Sequence, residues 1–289
     1  MHILIETLGF SLVTAAILAM GSVGLTLQFG VTNYANFAFG DFMTVGMYIC
    51  WVLALHLPLW LAIVLAALVV GAVALLSAEL VMGPFVKKKS SPLILLIVTF
   101  GLSFIINNII LAIWGAQEKS LPLASQAPLH LGWFLFTPSQ LVVVAGSVLV
   151  MVAVHIMLSR SRVGKAMRAV SDNAELAAVS GIPQTPIVRL TWVLTGVLAG
   201  LGGIALAYNT ASFDPALGET FLYIFFSSVI LGGVGKPYGA MLGAIVIGLA
   251  SGFASLIIPQ YGGDAAFVVL IIVLLIRPEG IIRSAGRSA

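Results

Sequence analysis

Between Glu6 and Glu79 this 289-residue chain carries a single charged side chain, Asp41, which is set among Asn33, Asn36, Phe37 and Gly40. A carboxylate in that position can accept hydrogen bonds, exchange a proton or pair with a cation. Inside an apolar span it costs about 3 kcal/mol or more unless it meets a partner or water, so it is a functional candidate by default. One reading makes Asn33, Asn36, Phe37, Gly40 and Asp41 part of a polar path across the membrane. The other places them at the cytoplasmic mouth of a helix, with Asp41 near its fourth position, where the helix dipole favours an acid.

The second concentration of chemistry is the polar island Ser159–Arg189. It holds five of the thirteen basic residues: Arg160, Arg162, Lys165, Arg168 and Arg189. Asp172 followed by Glu175 fits an N-cap with its capping-box partner. Asn173–Ser180 then reads as a two-turn helix, closed by a positive-φ Gly181 and by Pro183. Arg162–Val170 reads as another short helix with Ala166, Met167 and Val170 on its apolar face. Helices this short are marginal in water and need a surface to lie on. That surface is the membrane, the rest of the chain or a partner.

Other chemistries fail on spacing. Gly232–Lys236, GGVGK, resembles a phosphate loop but has Ile230 where a Walker A glycine is needed and Pro237 after the lysine. The four histidines are scattered, and lone Cys50 excludes an internal disulfide. No Ser/His/Asp grouping or HExxH motif appears, so the chain is not read as an enzyme. The net charge of +3 reflects basic residues beside apolar spans, which fits lipid contact better than nucleic-acid binding.

The elements that must position these residues are membrane helices. The chain is 61% hydrophobic and 8% charged, against roughly 25% charged in soluble domains. Charge-free gaps separate Glu6 from Asp41, Asp41 from Glu79, Lys89 from Glu118, and Lys119 from Arg160. Each is long enough for the roughly 20 apolar residues that cross a bilayer as a helix. The fold class is an all-α polytopic membrane protein with eight to ten transmembrane helices. Nine spans are expected: 8–27, 37–55, 59–81, 93–114, 139–158, 190–208, 221–234, 238–258 and 265–276, the seventh and ninth short enough to be partial or re-entrant. Nine crossings put Lys87, Lys88, Lys89, the island, Lys236, Arg277, Arg283 and Arg287 on one side, the cytoplasm by the positive-inside rule. The G-xxx-G pairs Gly196/Gly200, Gly239/Gly243 and Gly248/Gly252 suit close helix packing. Asn107 and Asn108 suit interhelical hydrogen bonds. The loop 117–138, with Trp133, Phe134 and Phe136, reads as an outer interfacial anchor with room for a short interfacial helix.

Four stretches carry a resemblance. Gly164–Ile182, GKAMRAVSDNAELAAVSGI, resembles the EAA-type cytoplasmic loop of branched-chain amino acid permeases of the LivH type, a family of bacterial ATP-binding cassette importers. Leu27–Gly46, LQFGVTNYANFAFGDFMTVG, resembles that family's LxFG…NFAHGxxxxxG signature, with Phe39 where the family often has histidine. Leu231–Gly248 resembles its glycine-rich late segment, and Leu275–Gly280, LIRPEG, its RPxG. The resemblance implies one permease domain over 1–289 in two related halves. A helical block 8–158, a coupling loop 159–189, a second block 190–276 and a cytoplasmic tail 277–289 divide it. It implies a place in the bacterial inner membrane and import of branched-chain or other neutral amino acids, with urea or short amides as the alternative substrates. A secondary transporter or channel is the alternative of another class. The implied partners are a LivM-like second permease, two cytosolic ATP-binding subunits that use ATP and Mg, and an extracytoplasmic solute-binding protein. No cofactor is expected on this chain. Gly164, Arg168, Glu175 and Gly181 would serve ATPase coupling.

Overall fold

In a bilayer every backbone polar group must be satisfied internally, and helices do this alone. The computed structural model describes residues 2–122, 127–131, 134–257, 262–277 and 280–281. Trp133, Pro278, Glu279, Arg283 and Arg287 lie outside the described residues. The described chain is a helical bundle of α1 (His2–Thr32), α2 (Phe39–Ala54), α3 (Leu59–Leu76), α4 (Gly83–Lys87), α5 (Pro92–Trp114), α6 (Pro138–Arg160), α7 (Arg162–Asp172), α8 (Ala174–Val179), α9 (Gln184–Thr210), α10 (Leu217–Gly232), α11 (Pro237–Ile257) and α12 (Ala265–Ile276). A π-helical turn, Ser77–Met82, joins α3 to α4. Six of the helical spans are long and apolar enough to cross a membrane, and α2, α10 and α12 are shorter apolar helices. The chain is therefore a multi-pass membrane protein.

The loop before α6 departs from expectation. It holds a small antiparallel hairpin, β1 (Leu129–Leu131) with β2 (Phe134–Phe136), and no interfacial helix among its described residues. Phe134 and Phe136 press on α1 at Gly9.

The centre of the bundle is α1 against α9. They run antiparallel, since Gly24 meets Leu198 while Gly21 meets Gly202. Both helices are buried on most sides, whereas α5 and α6 expose most of their apolar surface. The three G-xxx-G pairs all sit in tight contacts. Gly196 and Gly200 face α3, Gly239 and Gly243 face α10, and Gly248 and Gly252 face α1.

The two halves are related by an inverted repeat that hydropathy does not reveal. α1 ends at Thr32, Asn33 takes φ 59°, a short non-helical segment follows, and α2 begins at Phe39. α9 ends at Thr210, Ala211 takes φ 63°, an equally short segment follows, and α10 begins at Leu217. The hydroxyl of Thr32 donates to the Gln28 carbonyl at 2.8 Å and reaches the Tyr34 carbonyl at 3.5 Å. The hydroxyl of Thr210 does the same with Leu206 at 3.0 Å and Ser212 at 2.7 Å. Asn36 Oδ1 accepts from the Ala38 N–H, and Asp214 Oδ1 from the Ala216 N–H. Ala-Phe-Gly-Asp (38–41) then corresponds to Ala-Leu-Gly-Glu (216–219). In packing, α3 lies on α9 and α11 on α1, as the symmetry requires.

Candidate functional site: a midplane junction and a basic base

Thr32 and Thr210 each lie eight residues, about 12 Å, beyond the α1–α9 crossing, in opposite directions. A hydrocarbon core is about 30 Å thick. With the α1–α9 crossing at mid-bilayer, each break falls toward one membrane face, and the segment after the first returns to the crossing, where Phe39 lies beside Gly24. Non-helical backbone at that depth survives only when buried in protein or lining a cavity. Here Tyr34, Asn36, Phe213 and Pro215 are buried.

At the midplane the N-termini of α2 and α10 meet. A Cβ on Gly40 would stand 2.6 Å from the Gly218 carbonyl oxygen, and one on Gly218 would strike the Gly40 carbonyl and the Thr44 hydroxyl. Only glycine permits this approach. Asp41 is the third residue of α2, next to the expected fourth, and lies at this junction. Its relative exposure is 1%. Oδ1 faces the Asn107 amide at 3.5 Å, and Oδ2 is buried without a hydrogen-bond partner. Glu219, its symmetry counterpart, occupies the third position of α10 and is half-buried.

One face of α5 stitches both returns together. The Thr99 hydroxyl accepts from the Phe37 N–H at 3.2 Å and reaches the Ala35 carbonyl at 3.3 Å. Two turns further on, Asn107 donates to the Pro215 carbonyl at 3.0 Å as well as facing Asp41. Asn36 donates to Gln28 Oε1 at 3.0 Å and fixes the first return against α1. Phe37 packs between Phe100 and Phe226, with ring centroids at 4.7 and 5.2 Å. Asn36, Phe37, Gly40 and Asp41 thus come together, while Asn33 is exposed at the break itself. Asn107, Gly218 and Glu219 belong to the same site, and the sequence reading did not select them. Asn108 turns away and bonds the Phe104 carbonyl in its own helix.

The second site lies at the basic end. Asn173, not Asp172, caps α8, its Oδ1 accepting from the Leu176 N–H at 2.9 Å. Asp172 ends α7. The Gly181 N–H bonds Ala178 O at 3.0 Å and the Ile182 N–H bonds Ala177 O at 2.9 Å, with Gly181 at φ 84°. This is a Schellman closure. Met167, Val170 and Gly164 form the buried face of α7. Gly164 sits so tightly on the end of α6 that any side chain would strike the Leu158 backbone. Arg168 donates to the Leu158 carbonyl and so caps α6. Glu175 is exposed in the first turn of α8. Beside it stand two apolar side chains that the charge-based reading missed, Leu176 at 63% and Val179 at 88% exposure. Their spacing of three on one short helix is the signal that could have found them.

The four stretches that carried the resemblance converge here. Gly30, two residues before Thr32, lies between Ser171 of α7 and Gly235, where a Cβ would stand 3.0 Å from the Ser171 hydroxyl and 3.4 Å from the Gly235 backbone. The Gly235 N–H donates to the Thr26 hydroxyl at 2.9 Å. Gly280, the last residue of the fourth stretch, packs against Gly233 and Leu231, and the N–H of the next residue, Ile281, bonds Leu231 O at 2.8 Å. α7 thereby packs on the last turn of α1, just before the first break, and α8 packs on α7.

An inverted pair of broken membrane helices meeting inside the bundle, with a helical element docked beside one break, is an architecture of membrane transporters. The chain belongs to the family described as the branched-chain amino acid transport system / permease component, which matches residues 7–276. It is 30% identical to the high-affinity branched-chain amino acid transport system permease protein BraD of Pseudomonas aeruginosa, over 91% of each chain. It is 28% identical to the LivH permease protein of Escherichia coli K12, over 91% of this chain and 90% of that one. A solved structure of PsaBC from Streptococcus pneumoniae in complex with Fab shares the fold at a TM-score of 0.51 and 12% identity. It covers 96% of this chain and 91% of that one.

Proposed function

We propose that this chain is a transmembrane subunit of a bacterial ATP-binding cassette importer for branched-chain or other neutral amino acids. Its basic end faces the cytoplasm of the inner membrane. A LivM-like permease completes the membrane part, two cytosolic subunits hydrolyse ATP with Mg, and an extracytoplasmic binding protein delivers the solute. The observation that carries this reading is the exposed apolar pair Leu176 and Val179 on α8, a helix linked through α7 and Gly30 to the break at Asn33. Apolar side chains held in water at a basic surface suit a groove on another protein. ATPase movement would pass from α8 through α7 to the first return, and so to the junction of Gly40 and Gly218. Asn36, Phe37, Gly40 and Asp41 would then border the path, with Asn33 at its cytoplasmic end.

The test is Leu176→Glu combined with Val179→Glu. Both positions are exposed, so the permease should fold as before. The expected result is loss of ATPase co-purification and of solute-stimulated ATP hydrolysis. Wild-type levels of both would overturn the docking assignment. ATP-dependent uptake into vesicles, with and without the ATPases, separates this reading from a transporter that works alone.

A further inference from the structure

A separate cleft opens at the basic end, between the π-helical turn that follows α3 and the first two turns of α9. Its volume is about 230 Å³. That is many times the roughly 15 Å³ such a cavity needs to hold one water, room enough for a small amino acid. Glu79 and Arg189 stand on its two walls and meet through a paired contact, Nε to Oε1 at 2.5 Å and Nη2 to Oε2 at 3.0 Å. Lys87 adds a second cation at the rim, and Met82, Val188 and Trp192 supply an apolar floor. Tyr34, from the first midplane return, forms part of the lining.

The ion pair leaves chemistry unused. Glu79 occupies one edge of the guanidinium, so the Nη1 edge keeps free donors, and each carboxylate oxygen keeps a lone pair. Donors and acceptors side by side above an apolar floor match a zwitterion: a carboxylate on Arg189 and Lys87, an ammonium on Glu79, and an aliphatic side chain on Met82 and Trp192. Glu79 owes its position to the π turn, a feature that recurs at functional sites.

We propose that this cleft is a second binding site, on the cytosolic side, for a zwitterionic amino acid with an apolar side chain, and that accumulated product acting there slows the transporter. A ligand in the cleft ties the π turn, α9 and Tyr34 together, and so holds the first return in place. The proposal rests on the importer reading and on its orientation.

The assembled transporter is reconstituted in vesicles with ATP and either leucine or no amino acid enclosed on the ATPase side. Initial uptake of external labelled leucine is then measured. Enclosed leucine should slow the wild type several-fold. It should leave Glu79→Gln/Arg189→Gln and the cleft-filling Val86→Trp with equal rates in both vesicle types. Equal wild-type rates, or slowing that persists in both variants, would overturn the proposal while leaving the importer reading intact. Slowing that appears only with anionic phospholipid present would also overturn it, by assigning the cleft to a lipid headgroup. Absence of any ATP-driven uptake would sink the importer reading instead. In that case equilibrium dialysis of labelled leucine against the complex without binding protein still decides the cleft, through loss of binding in the variants.

Discussion

At the residue scale, Asp41 and Asn107 decide how the midplane junction behaves. Asn107 joins the Pro215 carbonyl to Asp41, and Asn107→Leu leaves both without that donor. An unsatisfied buried polar group costs about 1–3 kcal/mol. The expected outcome is lower thermal stability together with solute leak in the absence of ATP, read by an unfolding scan and by passive flux. Asp41→Asn keeps the size of the side chain and removes its charge. Assembly should persist while uptake falls at least tenfold, and unchanged uptake would remove Asp41 from the path. Asp41 was legible in the sequence because a charge is conspicuous in an apolar run. Its depth was not, because depth depends on the turn at Asn33, which has neither glycine nor proline to announce it. Asn107 and Asn108 read alike in sequence, and only the facing of α5 separates a latch from a local bond to Phe104.

At the element scale, α8 depends on how it ends. Gly181→Val puts a β-branched residue at φ 84°, at a strain of roughly 1–2 kcal/mol. Space around Gly181 is open, so the effect should arise from the backbone alone. Solute-stimulated ATP hydrolysis should fall with α8 disordered, while the permease remains folded by circular dichroism. Gly218→Ala is a different perturbation, because the new methyl group meets the Gly40 backbone. It should weaken assembly and thermal stability more than Gly181→Val does. The start and stop of α8 were largely legible from Asp172, Asn173, Gly181 and Pro183. The cap fell one residue later because α7 uses Asp172 as its own last residue. The spans of α5, α6, α11 and α12 were legible to within two residues, since hydropathy marks where they leave the membrane. α1 and α9 were expected over 8–27 and 190–208 but run from His2 to Thr32 and from Gln184 to Thr210, because tertiary packing carries both helices beyond their most apolar stretch. α10 begins at Leu217, four residues before the expected 221, because Gly218 and Glu219 interrupt the apolar run there.

At the scale of the whole molecule, the two halves of the chain fold alike in opposite directions. The correspondence was hidden because its shared residues are few: a threonine, an Asn or Asp, an alanine, a glycine and an acid, scattered through apolar sequence that resembles every other membrane helix. Backbone geometry exposes it, through two non-glycine residues of positive φ at equivalent positions. The matching threonine turns carry an energetic consequence. Each break is held by the same kind of hydroxyl bond and the same side-chain cap, so the two hinges share one local chemistry. On the importer reading, conformers open to opposite faces would then differ little in free energy in the bare subunit. A difference of about 1.4 kcal/mol shifts such a balance tenfold. A solute-loaded protein on one face and nucleotide on the other would thus act as light weights on a level beam.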